Sequence, residues 1–320
     1  TNLNFVFEKL YDIFKDAPLL GSLINPEKTL REYSIYNFKT NEIKTLLKYA
    51  FSVAKDEEKI ETAVYAYSIA KTASLLSNKY ELIVTNVPYL SRIKQSEVIK
   101  NYCDKYYKDG KNDLANVFLY RCLEFTSKKN GYVQLVVPQS WLFLTKYKKQ
   151  REKLIKSTQL IFLTKLGPGA FETITGEVVN VVLFTAQNKS YDIDNKFFGL
   201  DVSIEKNTND KSNSLMFKKI SKISQNAQKK NPDKAITLKE LNISNCIGDI
   251  ADSYHGITTT DLPRFFRCFW EIQYKNEDWI FQQGTVKSTC HFGGKEGILL
   301  WEKGEGGINQ LRKDGATVVI

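Results

Sequence analysis

Between residues 80 and 185 the spacing of apolar residues switches repeatedly between two periods, and this alternation limits what the chain can fold into. Residues 80–85 (Tyr-Glu-Leu-Ile-Val-Thr) form a short run of β-branched and apolar side chains. Residues 112–127 then place Leu114, Phe118, Cys122 and Phe125 at helical spacing. Residues 132–137 return to strand character and stop at Pro138. A helix over 146–156 and strands over 160–166 and 177–185 follow. Strand, helix, strand, helix, strand predicts an α/β fold with a mostly parallel sheet covered by helices. In such sheets the working loops leave the carboxyl ends of the strands. Asn86, Gln139 and Gly167 all stand at predicted strand ends.

The flanks read differently. Residues 2–15 carry Leu3, Phe7, Leu10, Tyr11 and Phe14 at helical spacing, and Pro18, Gly21 and Pro26 mark a turn region. Residues 41–52 and 56–77 predict two more helices, the second capped by Asp56. From 187 to 239 the chain is rich in Asn, Lys and Ser with weak periodicity. A boundary near 190 is expected, with one domain over 1–190 and a mixed or β-rich one over 191–320. The chain starts at Thr1, and residues 316–320 have strand character, so a fragment or a processed chain is expected.

Hydrophobic residues make up 42% of the chain and charged residues 26%, which excludes a disordered chain. The net charge of +10 fits a polyanionic partner, and it fits simple solubility as well. Cys103, Cys122, Cys246, Cys268 and Cys290 show no metal-ligand spacing, and the only histidines are His255 and His291. No metal site and no disulfide framework is expected, which suits a reducing cytoplasm. No apolar run reaches the roughly 18 residues of a membrane span, so no membrane partner is expected.

Asn86-Val87-Pro88-Tyr89 is the most informative tetrapeptide. The Asn86 side chain accepts one hydrogen bond. The Val87 carbonyl accepts another, because Pro88 restrains the residue before it to extended backbone. Tyr89 adds a flat face. Two acceptors beside an aromatic ring suit a planar exocyclic amino group, which they orient without a metal or a covalent nucleophile. The four residues also fit an ordinary strand-ending turn.

The flanking blocks bear on that choice. The segment Tyr80-Glu-Leu-Ile-Val-Thr-Asn-Val-Pro-Tyr89 resembles the catalytic motif of the adenine-specific DNA methyltransferases, usually Asn-Pro-Pro-Tyr after such a strand. Asp109-Gly-Lys-Asn-Asp-Leu114 and Gly131-Tyr-Val-Gln-Leu-Val-Val-Pro-Gln-Ser-Trp141 resemble the blocks that follow. Leu166-Gly-Pro-Gly-Ala-Phe-Glu-Thr-Ile174 and Gly176-Glu-Val-Val-Asn180 are similar to members that serve restriction-modification and phage defence. The likeness covers roughly residues 70–185.

The resemblance implies a partial Rossmann-like core acting on adenine in double-stranded DNA, with other defence-system proteins as possible partners. Asn86 and the Val87 carbonyl would hold the target amine, Pro88 would restrain that carbonyl, and Tyr89 would stack on the flipped base. Phe171 is implied as a second aromatic wall, or else as a core aromatic. Asp113 is implied near the base pocket, or else as a helix cap. Val87 departs from the family's proline but keeps the carbonyl.

The same resemblance implies S-adenosylmethionine as methyl donor, bound by a glycine-rich turn that precedes the catalytic block. Gly21 is the only glycine among residues 1–85. One glycine cannot supply several close backbone approaches. The donor-binding residues are therefore expected before Thr1, and the chain alone is expected to be inactive. A noncatalytic DNA-recognition or assembly module with a degenerate core fits the missing turn. A methyltransferase acting on RNA or on a protein amide fits the tetrapeptide.

Two basic segments are candidates for DNA contact. Residues 146–156 predict a cationic helix with Lys148 and Arg151, which equally suits a solvated outer face. Residues 254–270 are similar to the block at which the family enters its target-recognition region, and there Arg264 and Arg267 are the candidates.

Overall fold

The computed structural model describes residues 3–33, 57–128, 130–171, 179–241, 250–251, 261–284, 286 and 293–308. The expected helix over 41–52, the Asp56 cap, His255, His291 and the strand-like residues 316–320 lie outside the described residues, as do 172–178. The chain divides into two compact units, residues 1–242 and 243–320. The expected boundary near 190 instead falls inside the first unit. The polar stretch after it hides two strands that extend the sheet, so its composition did not mark a linker.

The first unit opens with helices α1 (Leu3–Phe14), α2 (Ala17–Leu20), α3 (Pro26–Glu32) and α4 (Glu57–Ser77). Strand β1 (Leu82–Asn86), helices α5 (Glu97–Tyr106) and α6 (Leu114–Phe125), strand β2 (Tyr132–Pro138) and helix α7 (Lys148–Ser157) follow. Strands β3 (Gln159–Gly167), β4 (Val181–Gln187) and β5 (Lys196–Asp201), helix α8 (Thr208–Phe217) and strand β6 (Ser221–Ser224) complete it.

The fold is α/β, with a six-stranded sheet in the order β1-β2-β4-β3-β5-β6. β1 pairs with β2, and β3 with β5, in parallel. The other three pairings are antiparallel, so the sheet is mixed rather than mostly parallel. The cause is β4, which reverses direction and inserts between β2 and β3. β1, β2, β3 and β5 still share one direction, so their carboxyl ends line one edge of the sheet.

Alternation along the strands builds the core. Val133, Leu135 and Val137 of β2 and Val182, Phe184 and Ala186 of β4 point to one face. There they meet Ala115, Leu119 and Cys122 of α6 and Leu154 and Ile155 of α7. Trp141 lies edge-on to Phe184, with ring centroids 5.3 Å apart. The opposite face is less covered. Leu82 and Val84 of β1 are 60% and 66% exposed, and Tyr132 and Phe198 are 39% and 41% exposed. Among the described residues β1 has no second neighbour and forms the sheet edge.

Arg121 ties the amino-terminal helices to α6. Its buried guanidinium donates to the carbonyls of Ser22, Ile24 and Leu76 at 3.0, 2.7 and 2.7 Å. It also lies over the Phe125 ring at 3.8 Å. Three carbonyls from two segments thus find a charged donor inside the protein, where unpaired they would each cost stability.

The second unit holds a short helix α9 (Leu262–Phe265), capped by Asp261, and strands β7 (Phe266–Cys268), β8 (Trp279–Gln282) and β9 (Gly297–Leu300). These strands form an antiparallel sheet in the order β7-β9-β8, with Leu299 of β9 buried in one cluster with Phe265 and Ile308.

Candidate functional site

β1 carries Asn86 to the carboxyl edge of the sheet, and the chain turns there. Asn86 and Pro88 are exposed, whereas Val87 is 4% exposed and packs into the main core. A buried anchor between two exposed residues fixes the turn from below, which gives valine a packing role at this position. Tyr89 is half-buried against the same core. Its hydroxyl donates to Asn86 Oδ1 at 3.2 Å. Among the described residues, neither the Val87 carbonyl nor the Asn86 side-chain NH2 has a hydrogen-bond partner.

The segment after the turn is held by the loop before α6. Arg92 N donates to the Asn112 carbonyl, and Leu114 N to the Leu90 carbonyl, both at 3.0 Å. Asp104 of α5 braces both strands of this contact, accepting from Arg92 at 2.5 Å and Lys111 at 2.7 Å. Asp113 accepts from Ala115 N at 2.9 Å and caps α6, so the capping role expected of it is present.

Asp113 also lies close enough to Tyr89 and Tyr147 to act on both. Burial pushes its carboxyl above the usual range, against hydrogen bonds from the Ala115 and Leu90 backbone. Burial, aided by the Asp113 charge, raises Tyr89 to about 12, and Tyr147 likewise to about 12. Both phenols stay protonated at neutral pH, and that of Tyr89 donates to Asn86. Tyr147 carries no motif and was not expected here; the sequence placed it within the cationic helix over 146–156. The structure therefore brings Asn86, Val87, Tyr89 and Asp113 together.

The neighbouring strand ends complete this edge. Gln139 N donates to the Asn180 carbonyl at 2.8 Å, and Gly167 pairs with Val181. Gly167 has a φ of +69°, and a Cβ there would collide with Ser203, so this position requires glycine. Lys211 of α8, which no sequence pattern marked, fixes the turn. Its buried ammonium donates to the carbonyls of Leu166, Val202 and Glu205 at 2.7, 3.2 and 2.6 Å. Phe171, beyond this turn, is half-buried and makes no ring–ring contact among the described residues. No described contact joins it to Asn86 or Tyr89.

The candidates for DNA contact separate sharply. Arg151 is fully buried. Its guanidinium donates to the carbonyls of Trp141, Leu144 and Asp233 at 2.7, 2.8 and 2.7 Å. A guanidinium spent on three internal carbonyls cannot reach a phosphate, so the expectation for Arg151 is corrected. Lys148 is half-exposed and pairs with Asp233 at 3.1 Å. In the second unit Arg264 is exposed above the Phe265 ring. Arg267 is half-buried and donates to the Pro263 and Phe266 carbonyls.

The described residues supply no cradle of the kind the resemblance implies for S-adenosylmethionine. Among the described residues β1 is the first strand, and no glycine-rich strand–turn–helix precedes it. No group of three or more His, Cys, Asp or Glu residues converges among them, and none of their helices is long and apolar enough to cross a membrane.

Comparison with known proteins follows the same segment. The chain is 37% identical over 114 residues to the adenine-specific methyltransferase PglX of Lacticaseibacillus casei (strain Zhang), covering 36% of this chain and 9% of that protein. It is 32% identical over 116 residues to the adenine-specific methyltransferase BrxX of Escherichia coli O9:H4 (strain HS), covering 36% of this chain and 10% of that protein. The match thus spans about a tenth of these relatives' length. Among solved structures, the Type IIL restriction-modification enzyme MmeI in complex with DNA aligns at a TM-score of 0.45 and 12% identity, over 97% of this chain and 51% of that one. The profile of the Eco57I restriction-modification methylases matches residues 6–171, just over half of the chain, and the chain belongs to that family.

Proposed function

We propose that this chain supplies the target-base pocket of an adenine-specific DNA methyltransferase working in restriction-modification or phage defence. The methyl group comes from S-adenosylmethionine, held by residues other than those described. The substrate is the exocyclic amine of an adenine flipped out of double-stranded DNA. The protein acts in the cytoplasm, beside the other proteins of its defence system.

The observation that carries this reading is the pair of acceptors at the end of β1. Asn86 Oδ1 takes one hydrogen from Tyr89 at 3.2 Å and, like any amide oxygen, has a second lone pair. The Val87 carbonyl is free among the described residues. One amine hydrogen goes to each oxygen, which turns the nitrogen lone pair out of the ring plane. The buried Val87 side chain and the Asp113-capped helix hold both acceptors in place before substrate arrives. The phenol of Tyr89 stays neutral and offers its ring face to the base.

Asn86→Ala in the methylation-competent protein that carries this chain tests the reading. Single-turnover transfer of a labelled methyl group should slow at least on the order of a hundredfold, with DNA affinity little changed. A folded Asn86→Ala protein that methylates at the wild-type rate refutes the assignment.

A further inference from the structure

The edge of the sheet that carries Asn86 also carries a second concavity, at the ends of β3 and β5. A cavity of about 340 Å3 opens there, lined by Lys165 of β3, Asp201 of β5, Lys218 and Lys219 before β6, and Lys239. Its floor depends on Gly199. A side chain at that position would strike Ile223 and Leu238, and the missing Cβ lets Leu238 seat against the strand.

The charges around this cavity do not cancel. Lys218 pairs with Glu205 at 3.3 Å. The Asp201 carboxylate is turned to Ser203, accepting from its backbone N–H at 3.0 Å and its hydroxyl at 2.6 Å. Lys165, Lys219 and Lys239 have no carboxylate partner at ion-pair distance among the described residues. Lys219 and Lys239 are exposed, and Lys165 is half-buried on the cavity wall. The Asp201 charge offsets part of that of Lys165, its register partner across β3 and β5, but Lys218, Lys219 and Lys239 line the same hollow, so it keeps a positive surplus. Such a surplus suits an oxyanion.

We infer that this cavity seats a backbone phosphate of the duplex whose base enters the Asn86 pocket. The inference rests on the proposed DNA substrate. In the strand order β1-β2-β4-β3-β5, β3 is three strands from β1 and β5 is four. At about 4.8 Å per strand the cavity lies roughly 14–19 Å from Asn86 along the sheet edge. That span corresponds to about four to six steps of duplex at 3.4 Å each, within the footprint of one bound site.

Fluorescence anisotropy of the 320-residue chain on a 30-base-pair duplex, titrated with salt, tests this. The triple variant Lys165→Ala, Lys219→Ala, Lys239→Ala should bind about tenfold more weakly near 0.15 M salt. Its log–log salt slope should be shallower by about one, the signature of one lost phosphate contact. A control variant with the same charge change elsewhere, Lys71→Ala, Lys108→Ala, Lys189→Ala, should keep the slope. Unchanged slope and affinity in the first variant overturn the inference, and so does an equal loss in the control. Inorganic phosphate at constant ionic strength should compete with the duplex in the wild type more than in the triple variant; equal competition in both overturns the inference. Wild-type chain that binds no duplex at low salt overturns the inference for this chain, and the Asn86→Ala methylation test then decides the DNA substrate separately. An unchanged lysine variant beside a methylation-dead Asn86→Ala removes the phosphate site alone.

Discussion

The hydroxyl of Tyr89 stands 3.2 Å from the amide oxygen of Asn86, across a turn of four residues. The bond closes the tetrapeptide on itself. It also orients the Asn86 amide, whose Oδ1 accepts from a hydroxyl that burial keeps protonated, with a pKa of about 12. Tyr89 thus has two separable parts: a hydroxyl that orients Asn86 and a ring that meets the base.

Those parts can be separated by mutation. Tyr89→Phe removes the hydrogen bond and keeps the ring, so kcat/KM for methylation should fall by less than about tenfold, the scale of one neutral hydrogen bond. Tyr89→Ala also removes the stacking face, worth about 1–3 kcal/mol per base. Its kcat/KM should therefore fall further, by up to about a hundredfold. Steady-state kinetics on a short duplex measures both. Equal losses in the two variants would show that the ring contributes nothing.

Arg151 makes a prediction opposite to the one its sequence setting suggests. Arg151→Leu leaves the carbonyls of Trp141, Leu144 and Asp233 without their donor. Unfolding free energy should drop by about 3 kcal/mol or more, as when a buried charged partner is removed. Lys148→Ala, which breaks only the exposed pair with Asp233, should cost less than about 1 kcal/mol. Urea unfolding followed by circular dichroism compares them. A stable Arg151→Leu protein with weakened DNA binding would restore Arg151 as a surface contact.

The contrast shows what the sequence could carry. β1, α6, β2 and β3 were legible because each keeps one period long enough to mark a face, as Val133, Leu135 and Val137 do. The Asn86 turn was legible because strand, amide and proline are adjacent in the chain. β5 and β6 were not, because their polar surroundings masked two short strands whose hydrogen bonds come from the sheet itself. Arg151 and Lys211 were not, because charge predicts exposure. Only the tertiary fold brings carbonyls from distant segments around such a group.

Lys211 provides a third test. Its ammonium gathers three carbonyls at the ends of β3 and β5, and burial holds its pKa below the ordinary lysine value against the Glu205 and Asp201 charges. Lys211→Met keeps the length and removes the donor. Amide hydrogen exchange in residues 166–171 and 202–206 should speed up by at least about tenfold, while exchange in β2 stays unchanged. Uniform acceleration across the sheet would instead mean that Lys211 supports global stability alone.

The fourth prediction concerns pH and the joint between α3, α5 and α6. Glu124 accepts from Asn25 Nδ2 at 2.8 Å, Tyr107 at 2.8 Å and Lys28 at 3.1 Å. Burial alone would raise its carboxyl, but the Lys28 charge and these three hydrogen bonds outweigh burial and hold it below the usual 4.5. The folded state therefore binds this proton less readily than the unfolded state. The stabilisation is fully present above the unfolded pKa, near 4.5, and is lost as pH falls through the depressed folded value. Glu124→Gln keeps the shape and removes the charge. At pH 6 the variant should be less stable by about 2 kcal/mol, the scale of hydrogen bonds to an ionised acceptor. Between pH 5 and 3 the gap should close, because the wild type is then losing the charge the variant never had. Thermal melts of both proteins across that window measure the difference and cancel the titration of all other carboxylates. A gap that stays constant from pH 6 to 3 would show that Glu124 acts through its shape and not through its charge.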